Sequence, residues 1–133
     1  MVMKKKIVLS VLFIVSLIPM LFNQYGGAKG VQEISGIINL LNPIGLISFI
    51  IFFIGVWVPL KNKKINKILN ILGVLGIVLS EIYKFLTWYI PNYENSINLQ
   101  HSLNNVFPAF YVGLIISLCM VIAYFIIDQK IKD

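Results

Sequence analysis

The chain has no arginine, a single cysteine, a single histidine and five acidic residues, and each shortage removes a class of chemistry. Cys119 alone closes no internal disulfide, and it makes neither a CxxC redox pair nor a thiolate cage for a metal. In its apolar block it reads as an inert, buried thiol. His101 stands in a polar segment with only Glu94 near it in sequence, whereas a zinc site takes three or four ligands. It is expected as a solvated loop residue, and no metal or cofactor is assigned. No paired carboxylates occur within the apolar blocks, and no Ser or Cys nucleophile motif is recognisable. An enzyme is therefore not expected.

Charge is also scarce. Charged residues make up 12% of the chain against 59% apolar, with a mean hydropathy of +0.90, and the apolar residues come in long blocks instead of the interleaved spacing of a soluble core. The sequence reads as an all-α, polytopic membrane protein forming a single domain over residues 1–133. The net charge of +6 and pI near 9.5 do not indicate nucleic acid, because the lysines sit beside the ends of apolar blocks and no basic face interleaved with aromatics is present. GGAKG at 26–30 lacks the spacing and preceding strand of a phosphate-cradling loop.

Four blocks, at about 7–22, 36–60, 68–90 and 106–127, are long enough to cross a hydrocarbon layer of ~30 Å. The head, the segment 61–67 and the tail carry three, four and two lysines, whereas the segment 23–35 carries Lys29 and 91–105 none. By the positive-inside rule this places both termini in the cytoplasm of a four-helix antiparallel bundle in the plasma membrane. A cleavable signal ending at Ala28 competes for the first block. The first block exceeds the usual apolar core of a signal, and three more blocks follow, which favours a retained helix, kinked or ended at Pro19.

The third block carries charge within a span. At about 100° per residue, Gly73, Gly76, Ser80, Lys84 and Thr87 share a stripe with Glu81 at its edge, while Val74, Leu75, Val78, Leu79, Ile82, Phe85, Leu86 and Tyr89 form the face expected toward lipid. Antiparallel packing brings Asn39 and Asn42 of the second block to similar depth, making a polar outer half; the inner half is apolar apart from Ser48, Ser117, Cys119 and Tyr124. Tyr83, Trp88, Tyr89, Tyr93, Phe107, Phe110 and Tyr111 are expected as an interfacial belt. Two readings of Glu81 and Lys84 stand: a self-compensating pair at three-residue spacing, or the floor of an outward pocket in which Glu81, Lys84, Asn39, Asn42, Ser80 and Thr87 receive a ligand.

Three functions follow. The first is a binding, accessory or immunity-type membrane protein whose partners, besides lipid, are another membrane protein or a membrane-active peptide. The second is a transporter or channel subunit working as a homo-oligomer. The third is a holin-like protein. The four-span plan is similar to that of small multidrug transporters, but the coupling glutamate of that family lies in the first helix, which here has no acid, and the likeness stops at helix count.

Overall fold

The computed structural model describes residues 2–26, 33–89 and 96–131. Most of them are helical: α1 (Met3–Ser16), α2 (Ile37–Leu41), α3 (Pro43–Trp57), α4 (Lys63–Thr87), α5 (Leu99–Asn104) and α6 (Pro108–Lys130), with a 3-10 turn at Ile18–Leu21. The chain is all-α in character. Helices α4 and α6 are long and apolar enough to cross a membrane, and α3 is apolar but shorter. At 1.5 Å per residue these three measure about 37, 34 and 22 Å.

Local chemistry sets the helix ends and divides blocks that read as continuous. In the first block α1 stops at Ser16, whose hydroxyl donates back to the Phe13 carbonyl at 2.6 Å. Pro19, which has no N–H to donate, then lies in the 3-10 turn. The second block breaks at Asn42, whose backbone is extended and whose side chain accepts from the Gly45 N–H at 3.1 Å. Pro43 follows in the first position of α3, where a missing N–H costs nothing. Helix α3 ends at Trp57 because Val58 precedes Pro59 and is extended. The third block begins earlier than expected, at Lys63, because Asn62 caps it by accepting from the Lys64 N–H at 2.9 Å.

Two segments expected as loop contain structure. β1 (Asn23–Tyr25) pairs antiparallel with β2 (Ile34–Ser35), and Tyr25 also bridges to Val106. The Gly26 N–H donates to the Asn105 carbonyl and the Phe107 N–H to the Gln24 carbonyl, both at 2.8 Å. Gly26 makes this return at φ 113°, a conformation that a Cβ disfavours. Residues 27–32, with Ala28, and 90–95, with Tyr93 and Glu94, lie outside the described residues.

The α3–α4 pair packs most extensively, and it does so through small residues. A Cβ on Gly73 would come within 2.6 Å of Phe52 Cβ, and one on Gly76 would run into the Ser48 hydroxyl. Around this seam Leu9, Phe13, Phe52, Val74, Ile77, Met120 and Tyr124 form one buried cluster, and Tyr25, Trp88, Tyr89 and Phe110 form a second at one end. Val74, Val78 and Tyr89 are therefore buried and not on the outward face where their helical position had put them. The seam is wider than the small-residue stripe because α2 and α6 also pack on α4. Leu75, Leu79 and Ile82 are exposed as expected, together with Ile47, Ile50, Val112, Ile115 and Ile122 on other helices.

The two ends differ. At one, Lys5 of α1 and Lys67 of α4 both pair with Asp128 of α6, at 2.8 and 3.2 Å, so the head, the 61–67 segment and the end of the fourth block meet. The other end carries β1, β2, α5 and the second aromatic cluster. These are the lysine end and the capped end below.

Candidate functional site: a buried polar string around Glu81

Five polar residues of the capped half, Glu81, Ser117, Tyr25, Asn39 and Gln24, join into one string. Glu81, 2% exposed, faces α6, where Ser117 donates its hydroxyl to Oε1 at 2.6 Å. Its second oxygen, Oε2, is buried and has no hydrogen-bond partner among the described residues. An unmet buried acceptor costs about 1–3 kcal/mol, so this oxygen is a point of unused binding capacity. The Tyr25 hydroxyl lies 3.5 Å from the Glu81 carbonyl and donates to Asn39 Oδ1. Asn39 Nδ2 donates to Gln24 Oε1 at 2.7 Å, and Gln24 Nε2 to the Pro19 carbonyl at 2.9 Å.

Chain geometry explains how these residues meet. β1 folds back over the helix ends, and Gln24 enters beside glycines: a Cβ on Gly36 would overlap the Gln24 amide, and one on Gly113 would come within 3.2 Å of Nε2. Aromatic rings cover the string. Tyr25 stacks on Trp88 at 5.6 Å between centroids and packs on Phe110 at 5.7 Å, and Phe110 stacks on Phe85 at 4.8 Å. Burial pushes the Tyr25 phenol well above its usual ionisation range, so it remains a neutral donor.

The six residues singled out in the sequence have different fates. Glu81 and Asn39 are brought together through Tyr25. Asn42 caps α3 and donates to the Asn39 carbonyl at 2.6 Å. Ser80 is buried and donates to the Ile77 carbonyl at 2.8 Å, while Thr87 donates to the Tyr83 carbonyl at 2.6 Å, so both bond back to their own helix. Lys84 is half-buried with Nζ 5.6 Å from the Tyr83 ring centroid, and among the described residues it makes no ion pair with Glu81. The self-compensating pair is not formed, because Glu81 is drawn into the bundle by Ser117.

Other expectations change as well. Trp88, Tyr89 and Phe110 are core residues of the capped end instead of an interfacial belt. His101 is not simply solvated: its ring meets Tyr89 edge-on at 4.4 Å, and α5, which carries it, is capped by Asn98. Cys119 is exposed. Among the described residues no group of three His, Cys, Asp or Glu side chains is placed to hold a metal ion.

Three members of the site were not singled out. Ser117 had been assigned to the apolar half, although antiparallel α4 and α6 bring it within a side chain's reach of Glu81. Gln24 and Tyr25 lie in a non-helical segment where no periodicity marks a buried face. No family model, no curated protein and no solved structure matches the chain.

Proposed function

We propose that the chain is a four-span plasma-membrane protein with both termini in the cytoplasm, of the binding, accessory or immunity type, and that the Glu81 string is its outward polar pocket in closed form. The span count rests on length: α1 with its 3-10 turn, and α2 with α3, each supply the reach that α4 and α6 have alone. The orientation rests on the lysines gathered at one end. A membrane setting also accounts for apolar faces turned outward while Ser, Asn, Gly and Glu81 are turned inward.

The observation that carries the binding reading is the unpartnered Glu81 Oε2. A cationic or hydrogen-bond-donating group of a membrane-active peptide or partner membrane protein satisfies it once Tyr25 and Trp88 move aside. A second reading, a subunit of an oligomeric transporter, draws on the same buried acid, since ionisable groups inside spans mark ion and proton paths.

Impermeant thiol labelling from outside intact cells, in a Cys119→Ser background, tests the site. Cysteines replacing Asn39 or Glu81 are expected to label slowly, and faster when Tyr25→Ala removes the cover, while one replacing lipid-facing Ile82 stays unlabelled. No labelling at Asn39 or Glu81 even with Tyr25→Ala overturns the pocket. Proton flux in reconstituted vesicles separates the two readings: the binding protein conducts none, and flux that is lost in Glu81→Gln establishes the transporter.

A further inference from the structure

The lysine end contains a cavity of about 310 Å³ bounded by the first turns of α1 and α4 and the last turns of α3 and α6. This is at the lower edge of the roughly 300–1,000 Å³ of small-ligand sites. Lys6, Lys63, Lys64 and Lys67 line it, against one carboxylate, Asp128. That carboxylate is already engaged, accepting from Lys5 on Oδ1 at 2.8 Å and facing Lys67 on Oδ2 at 3.2 Å. Lys6, Lys63 and Lys64 therefore face the cavity without a carboxylate partner among the described residues.

Two further features strengthen the positive field. Helix α4 begins at the cavity and has no acidic residue in its first turn, so the positive end of its dipole is unopposed there. Lys6 Nζ is held 5.6 Å from the Trp57 ring centroid. Gathering cations around one concavity is unfavourable until an anion enters, and lysine ammoniums with helix N–H groups are the donors that phosphate oxygens take.

Apart from Asn66 and Tyr124, the rest of the lining is apolar. Val56, Val58, Pro59 and Leu60 form the wall supplied by the end of α3 and the segment after it, which a small inorganic ion leaves unused. We propose that this cavity binds a phosphate group carried on an apolar body, as in the headgroup and glycerol region of an anionic phospholipid. Basic pockets between helices at a membrane's cytoplasmic face bind such headgroups. The proposal stands independently of the Glu81 site, which lies in the capped half.

The test reconstitutes the full chain in phosphatidylcholine nanodiscs doped with phosphatidylglycerol and measures phosphatidylglycerol retained per chain by native mass spectrometry after detergent extraction. Retention is expected to fall at least about tenfold in Lys63→Gln/Lys64→Gln, which removes two charge-assisted contacts, and to persist in Lys4→Gln/Lys130→Gln, which removes the same charge outside the cavity. Val58→Trp, which keeps every charge and fills the apolar wall, is expected to release the lipid too. Glycerol phosphate added during extraction distinguishes the sources. Retention that it leaves intact supports a membrane lipid, and displacement of the lipid supports the same phosphate site filled from solution. Equal retention in all variants, or equal loss in both lysine pairs, overturns the proposal.

Discussion

The two ends of the bundle handle polarity in opposite ways. At the capped end Gln24, Tyr25 and Asn39 are at most 1% exposed and hydrogen-bond to one another beneath stacked aromatic rings. At the lysine end most of the lysines are exposed, and they face a cavity with one engaged carboxylate between them. A closed neutral network derives its strength from completeness, so each deletion strands a partner in a low-dielectric interior. An open cationic cluster derives little stability from any one member, and its function depends on what it attracts. Structural cost is thus expected to concentrate at the capped end and ligand sensitivity at the lysine end.

Unfolding by denaturant in detergent measures that contrast. The largest loss is expected for Asn39→Leu, which removes the acceptor at Oδ1 for the Tyr25 hydroxyl and the donor to Gln24 Oε1 and costs about 3 kcal/mol. A loss under about 0.5 kcal/mol there breaks the contrast. Asp128→Asn probes the strongest structural contact at the other end. Lys5 is 3% exposed and Asp128 19%, so the effect is expected near about 2 kcal/mol, below that of breaking a fully buried pair.

Tyr25→Phe sharpens the comparison by removing one hydroxyl while keeping the stacked ring. It is expected to cost about 1 kcal/mol. Lys63→Gln/Lys64→Gln is expected to change stability by less than about 0.5 kcal/mol while losing retained anionic lipid. A large destabilisation there makes the lysines structural and erases the difference between the ends.

Much of this was readable from residue order. The apolar blocks, the break at Pro19, and the grouping of lysines that reappears as the Lys5–Asp128–Lys67 contact follow from solvation and from proline geometry, whereas the break at Asn42–Pro43 inside the second block was not anticipated. Glu81 stood out because a carboxylate inside an apolar block needs a reason. Its partner did not stand out. Three-residue spacing suggested Lys84, but spacing along one helix says nothing of a second helix that offers a buried hydroxyl, and Ser117 takes the carboxylate. Gln24 and Tyr25 were hidden because a strand of three residues has too few positions for a period to emerge. Val74 and Val78 were assigned to lipid because their helix was considered alone, whereas neighbours on more than one side bury a wider arc.

By itself the sequence determined the helical, apolar character of the chain, the end of the first helix before Pro19, and the separation of a lysine-rich from a lysine-poor set of connections, since each depends on local solvation and the missing N–H of proline. Tertiary structure alone decided that Glu81 turns to Ser117 and away from Lys84, that a two-stranded flap closes Tyr25 over it, and that Lys6 joins Lys63, Lys64 and Lys67 around one cavity. Those outcomes depend on which helix faces which and how closely glycines let them approach, and no spacing along the chain encodes that.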